Sequence, residues 1–201
     1  MLLNFAGITC IFPSLLGNPR KAAFALDPQH RQQNFPMSDS AFWRFSLKFY
    51  AMPGVGAACI ELQDRCGVDV NVLLFLLFLA DQNRVISAED AARIDAQARP
   101  WREGVVVPLR AARRSLRTPI GAFDRDAAET LRGNVKRIEL EAERIQQETL
   151  EQTNSPSAAG NPASSRAGAA RTNLAAFAAH LGGLPEELLA PLLQAFDAAR
   201  L

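Results

Sequence analysis

The longest apolar run of the chain places nine residues in a row, from Val72 to Ala80. A helix that spans a bilayer needs about 20 such residues, so the run is too short for a membrane span. On a helical projection, every direction from Val70 to Ala80 is apolar except the one that Asn71 occupies. A helix that is apolar all round is buried. The segment therefore predicts the central helix of a small protein core.

Two shorter helices are predicted before this central helix. Residues 40–51 place apolar side chains over a broad arc, which favours a helix with one buried side. Gly67 ends a second helix over about 55–66 as a C-terminal cap, and Asp69 caps the central helix. A polar group collects at the joint between the second and third helices. It consists of Gln63, Asp64, Asp69 and Asn71.

Helical periodicity continues beyond the central helix. Ser87 to Asp90 form a weak capping box that opens a fourth helix. Pro100 should end this segment and start another as its first residue, and Pro108 should kink or break the continuation. A basic stripe follows on one helix face, formed by Arg110, Arg113, Arg114 and Arg117. The fifth helix, over about 126–151, carries apolar residues that alternate by four and three positions, as in a coiled coil. This seam consists of Leu131, Val135, Ile138, Ala142 and Ile145.

Composition divides the chain into four parts. Residues 1–36 precede Met37, which opens the first capped helix, and are predicted to be a disordered extension or the result of a misassigned start. Residues 37–152 form the helical core domain, 153–172 a flexible linker rich in Ser, Ala, Gly and Pro, and 173–201 a helical hairpin. So small a hairpin cannot bury a core alone, so it should dock on the core domain, a second copy or a partner. The predicted fold class is all-α, a small bundle of about five helices with a linker-tethered C-terminal hairpin.

Motifs for catalysis, metal binding or nucleotide binding are missing from the sequence. Of the three cysteines, Cys59 and Cys66 lie about 10 Å apart on one helix, too far for a disulfide. The histidines, His30 and His180, lie in opposite tails, so a metal site would lack ligands. The sequence therefore predicts no cofactor, no metal ion and no membrane association. It leaves open whether the protein is an enzyme.

Three segments carry a family resemblance: FWRFSLKFYAMPGV (42–55), LQDRCGVDVNVLLFLLFLA (62–80) and PWREGVVVPLRAARR (100–114). Together with the charged helix after them, they resemble the DUF2390 family of short bacterial proteins. The resemblance covers roughly residues 38–150 and implies a proteobacterial, cytoplasmic, helical protein that begins near Met37. Because the family carries no established activity, it supplies no catalytic residues.

Three functions remain open. The missing chemical motifs, the seam and the tethered hairpin favour a non-enzymatic protein-interaction module with a protein partner or self-association. The second function is a small-molecule site, or an enzyme, in which Arg110 or Arg113 binds an anionic ligand. The third is RNA or ribosome association through the stripe Arg110–Arg117, although no aromatic residues interleave with it. The candidate binding residues are Gln63, Asp64, Asp69, Asn71, Trp101, Arg110, Arg113, Arg114 and Arg117.

The arginine stripe also has a purely structural interpretation. Antiparallel packing against the fifth helix would neutralise it with the glutamates of that helix, Glu139, Glu141, Glu143 and Glu148. The polar joint would then provide hydrogen bonds between helices. If the glutamates bind Arg110 and Arg113, the anion-binding hypothesis loses its two main residues.

Overall fold

The computed structural model describes residues 40–155 and 159–199. Its helices are α1 (Ala41–Tyr50), α2 (Val55–Cys66), α3 (Val70–Asp81), α4 (Ala88–Trp101), α5 (Val107–Ser115), α6 (Arg125–Thr153), α7 (Arg166–His180) and α8 (Glu186–Ala198). A π-helical turn, Arg102–Val106, joins α4 to α5, and two short strands, β1 (Arg84–Val85) and β2 (Asn161–Pro162), pair antiparallel. The prediction of an all-α fold is confirmed. The predicted extension over 1–36 lies outside the described residues.

Helix α3 lies at the centre of the core, as its sequence predicts. All ten residues from Asn71 to Ala80 are buried, because α1, α4, α6 and α7 contact α3 from different sides. Asp69 caps the helix, and its Oδ1 accepts the backbone N–H of Asn71 at 2.9 Å and of Val72 at 3.3 Å. Full burial of one Leu or Phe side chain contributes about 1.5–3 kcal/mol. This helix is therefore the main source of hydrophobic stabilisation.

Helices α7 and α8 complete the same core. Phe177, Leu192 and Phe196 have no exposed surface and belong to the cluster that surrounds α3. The ring of Phe196 meets that of Phe49 edge-on, with centroids 6.0 Å apart. The C-terminal hairpin thus docks on helices of its own chain, which was one of three expected places.

The buried side chain of Asn173 forms hydrogen bonds between α7 and the rest of the fold. Asn173 has no exposed surface, and its Oδ1 accepts the N–H of Ile86 at 2.9 Å. Its Nδ2 donates to the carbonyls of Leu76 and Arg84, each at 3.0 Å. One buried side-chain amide therefore makes three hydrogen bonds to backbone groups of α3 and the β1 region, and its own polar atoms are satisfied by them.

The predicted flexible linker over 153–172 is wrong at both ends. Thr153 is the last residue of α6, and α7 already begins at Arg166, where the Ser165 hydroxyl accepts the N–H of Gly168 at 3.1 Å. Strand β2 lies between them and pairs with β1. Alanine has the highest helix propensity of all residues, so an Ala-rich composition that suggests flexibility also forms a helix once α3 offers an apolar surface.

The predicted fourth helix is two α-helices joined by the π-helical turn. Pro100 lies inside α4, so the prediction that it ends one segment and starts another is wrong. Pro108 lies in the first turn of α5, where its missing N–H is not needed. The π-helical turn ends at Val106, two residues before Pro108, and its wider winding accommodates the backbone hydrogen bond that this proline cannot make. Its first residue, Arg102, lines the cleft described below.

Helix α6 buries a polar side and leaves most of its predicted seam at the surface. Its buried residues are Glu139, Ala142, Glu143, Gln146, Gln147 and Leu150. Of the seam, only Ala142 is buried, whereas Leu131 and Ile138 are each 52% exposed and Ile145 is 36% exposed. The packing of α6 is thus determined by hydrogen bonds and ion pairs more than by its apolar spacing.

Candidate functional site

The polar joint and the arginine stripe meet in one cleft. It has a volume of about 500 Å³ and lies between α2, the start of α3, the π-helical turn, α5 and α6. Eight of the nine predicted binding residues line it: Gln63, Asp64, Asp69, Asn71, Arg110, Arg113, Arg114 and Arg117. Trp101 does not line it, because its indole N–H donates to the carbonyl of Ala142 at 2.9 Å.

Four further charged or amide residues line the cleft but are missing from the predicted set. They are Arg102, Glu103, Glu143 and Gln146. The sequence indicates two of them, Glu143 and Gln146, because Glu139, Glu143 and Gln146 recur at helical spacings of four and three residues along α6 and so share one face. The apolar seam follows the same spacing on a neighbouring face of the helix, so spacing alone does not indicate which of the two faces is buried.

Asp69 and Asn71 hold α6 against the start of α3. The Oδ2 of Asp69 accepts from Gln146 Nε2 at 2.7 Å and from Arg102 Nη1 at 3.2 Å. Asn71 donates to Gln146 Oε1 at 3.1 Å and accepts from Gln147 Nε2 at 2.7 Å. Buried amides left without such bonds would cost about 1–3 kcal/mol each. The polar joint therefore connects α3, α6 and the π-helical turn.

The buried part of the arginine stripe is paired with α6. Glu139 has no exposed surface, and it accepts from Arg113 Nε, from Arg113 Nη2 at 3.2 Å and from Arg110 Nε at 3.2 Å. Arg110 Nη2 donates to Glu143 Oε1 at 2.9 Å. The structural interpretation of the stripe thus applies to Arg110 and Arg113. The other two predicted glutamates, Glu141 and Glu148, pair with Arg144 instead.

The outer part of the stripe lies at the rim of the cleft. Arg114 Nη2 donates to Asp64 Oδ1 at 2.9 Å, and both side chains are partly exposed. Arg117 is exposed and makes no ion pair within residues 40–155 and 159–199. Only the rim therefore offers an arginine to an incoming anion without breaking an ion pair of the core.

Glu143 is the titratable group with the most unusual environment in the cleft. Burial raises its pKa to about 7 from the ordinary value of 4.5, the Glu139 and Asp69 carboxylates raise it as well, and the Arg110 guanidinium opposes the rise. Functional sites often contain a carboxyl group at the wall of a cleft whose pKa lies near neutral pH.

A second charged cluster connects the cleft to α7. Arg102 Nη1 bridges Asp69 at 3.2 Å and Asp95 at 2.6 Å. Asp95 also accepts from Arg99 at 3.2 Å and lies 3.3 Å from Nε2 of His180. Burial alone would raise the pKa of Asp95, but the hydrogen bond and charge of Arg102, helped by His180 and Arg99, hold it below its ordinary value. Among the described residues, no group of His, Cys, Asp or Glu side chains could hold a metal ion.

A second candidate surface lies outside the cleft. Within the described ranges, the exposed large hydrophobic residues all belong to α5, α6 or the loop between them. They are Val107, Ile120, Phe123, Leu131, Ile138 and Ile145. Leu131, Ile138 and Ile145 are spaced by seven residues and lie on one helix face. We call these three residues the α6 stripe.

Comparison with known proteins assigns the chain to a family. The model of the family described as "Protein of unknown function (DUF2390)" matches residues 41–150, more than half of the sequence. The chain belongs to the DUF2390 family. The resemblance of its three sequence segments is thereby confirmed. In this DUF2390 protein the matched region contains the cleft and the α6 stripe but ends before α7.

The other comparisons add no relative to this family assignment. Neither a curated protein nor a solved structure matches the chain. None of the described helices of this DUF2390 protein is long and apolar enough to cross a membrane.

Proposed function

We propose that this DUF2390 protein is an interaction module that binds another polypeptide through the α6 stripe. The observation that supports the proposal is the orientation of α6, which turns Glu139, Glu143 and Gln146 inward while Leu131 and Ile138 remain 52% exposed. A surface helix ordinarily turns its apolar residues toward the core. Exposed apolar side chains that are grouped on one face mark an interaction site, whereas singly scattered ones are normal on a protein surface.

The cleft supports a ligand less directly. An anion that approached Arg110 or Arg113 would have to displace Glu139 or Glu143, which already satisfy these guanidinium groups. The same ion pairs make both arginines unavailable for binding the phosphates of RNA. Asp69 and Asn71 of the polar joint are likewise occupied by bonds between helices. These four residues, Asp69, Asn71, Arg110 and Arg113, therefore already have structural partners.

The proposal is tested by removing the stripe without disturbing the core. In the full chain, Leu131→Ser combined with Ile138→Ser should abolish assembly, measured as the mass in solution and as proteins retained from an extract of the native cell. Val107→Ser is the matched control, because Val107 is also an exposed apolar residue, at 45%, but lies outside the stripe. Circular dichroism confirms that each variant folds. Equal behaviour of the wild type and the double variant in both measurements would refute the proposal.

A small anionic ligand at the rim is the second candidate function. The specific observation is Arg117, which lines the cleft, is exposed and has no ion pair within the described ranges. Inorganic phosphate and citrate should raise the melting temperature of the wild type, and Arg117→Gln should remove the effect. Arg171→Gln is the control, since Arg171 is a half-exposed arginine on α7 that pairs with Asp197. An equal response of both variants would eliminate this candidate.

A further inference from the structure

We infer that the partner of the α6 stripe is a second copy of this chain, and that the two α6 helices pair antiparallel about Ile138. The inference rests on the proposed function and names the partner for the same surface. Three features of α6 support it: the spacing of the stripe, the distribution of charge along the helix, and the space left beside the stripe.

The spacing of the stripe is symmetric about its middle residue. Leu131 and Ile145 each lie seven residues from Ile138, about 10.5 Å along the helix axis at 1.5 Å per residue. A two-fold axis at Ile138 places this residue against its equivalent in the second copy. The same axis places Leu131 against the second copy's Ile145. Since Leu and Ile have the same volume, the stripe is complementary to itself, as an isologous interface requires.

The charge along α6 distinguishes the two orientations of such a pair. The part before Ile138 carries four basic residues and two acidic ones, all at least partly exposed: Arg125, Arg132, Lys136 and Arg137 with Asp126 and Glu129. The part after Ile138 is acidic even without the buried Glu139 and Glu143. Its remaining charged residues are Glu141, Glu148 and Glu151 with Arg144. Antiparallel pairing brings the positive half of one helix against the negative half of the other, whereas parallel pairing brings like charges together.

The space beside the stripe suits one additional helix. On one flank, Glu139 is bonded to α5 and Gln146 to the start of α3, so this flank is already covered by the same chain. The other flank carries Glu141 and Glu148, which are only partly buried. A single helix of a second copy can therefore cover the stripe from that flank. A bundle of three copies would need the covered flank as well.

Cysteine cross-linking tests both the partner and the orientation. In a full chain with Cys10→Ser and Cys66→Ser, only the buried Cys59 remains, and single cysteines are introduced as Ile138→Cys, Leu131→Cys or Ile145→Cys. After mild oxidation, we expect Ile138→Cys to form a disulfide-linked dimer alone. The other two variants should link only when they are mixed with each other. If Leu131→Cys and Ile145→Cys each link to themselves, and no mixed dimer forms when the two are combined, the pairing is parallel and the inference is overturned.

The mass in solution provides an independent measurement. The wild type should have twice the monomer mass by light scattering, and Ile138→Asp should lose the dimer, because two carboxylates would meet at the axis. Val107→Asp, outside the stripe, should remain dimeric. A monomeric wild type with no cross-link would overturn the second copy as partner. If that monomer retains a different protein from the extract and the stripe variants do not retain it, the proposed interaction function stands. If the stripe variants retain the same proteins as the wild type, both this inference and the proposed function are refuted.

Discussion

Replacing Glu139 by Gln should destabilise the protein more than the same change at an exposed glutamate of α6. Glu139 has no exposed surface, and within the described residues its carboxylate is the only ion-pair partner of Arg113. Glutamine has nearly the same shape but leaves the Arg113 guanidinium, 8% exposed, without a counter-charge. Breaking a buried ion pair by removing one partner costs about 3–5 kcal/mol. For a chain of this size, that loss lowers the melting temperature by about 6–20 °C.

Glu129→Gln is the matched control for this prediction. Glu129 lies on the same helix and accepts two hydrogen bonds from Arg132, at 2.7 and 2.5 Å, but it is exposed. Exposed pairs contribute little to stability, so urea unfolding followed by circular dichroism should show no measurable loss. Equal losses for both variants would refute the argument that burial makes the Glu139 pair critical.

A double replacement separates the charge from the packing. Glu139→Leu together with Arg113→Leu removes both members of the pair, while Arg110 keeps Glu143 as its partner. Replacing a buried ion pair by apolar residues is often neutral or stabilising, so the double variant should recover most of the stability that Glu139→Gln loses. A double variant as unstable as the single one would show that the loss comes from packing at this position.

Three other contacts are tested by substitutions at Glu143, Asn71 and Gly160. Because the pKa of Glu143 is raised from 4.5 to about 7, the folded protein holds a proton that the unfolded chain releases, and this contribution to stability is lost as the pH rises through about 7. In urea unfolding, the stability of Glu143→Gln relative to the wild type should therefore increase as the pH rises from about 5 to about 8. A difference that stays constant over this range would contradict the raised pKa of Glu143. Asn71→Ala removes the partner of Gln146 Oε1 and of Gln147 Nε2, both buried, and should cost about 1–3 kcal/mol in the same assay, whereas Asn134→Ala, at an exposed position, should not. A Cβ on Gly160 would lie 2.2 Å from a β1 carbonyl oxygen, so Gly160→Ala should lower the melting temperature more than Gly121→Ala. Gly121 has a similar positive φ but nothing within 4 Å, and equal shifts would disprove the contact.

Elements that depend on local signals could be predicted from the sequence. Helix α2 has the predicted bounds of 55–66, because Gly67 adopts the left-handed conformation that ends a helix, with φ 66°. Asp69 caps α3 as predicted. The cleft could also be predicted in part, since the polar joint and the arginine stripe both stand out in the sequence. Local chemistry was sufficient in each of these cases.

The orientation of α6 could not be predicted, because it depends on residues far apart in the sequence. Asn71 bonds to Gln146 across 75 residues, and Arg113 bonds to Glu139 across 26. Apolar spacing in α6 indicated only which residues share a face, not whether that face is buried. The position of Trp101 depends in the same way on the α6 carbonyl that accepts its N–H.

The hydrogen bonds of Asn173 indicate that the segment needed for folding extends further along the chain than the segment that matches the family. The DUF2390 match ends at residue 150, yet α7 covers one side of α3 and satisfies the carbonyls of Leu76 and Arg84. A fragment cut after α6 would retain the whole matched sequence but expose an uncovered apolar helix to water, and it should aggregate. In this chain the folded unit therefore extends past the end of the family match and includes α7.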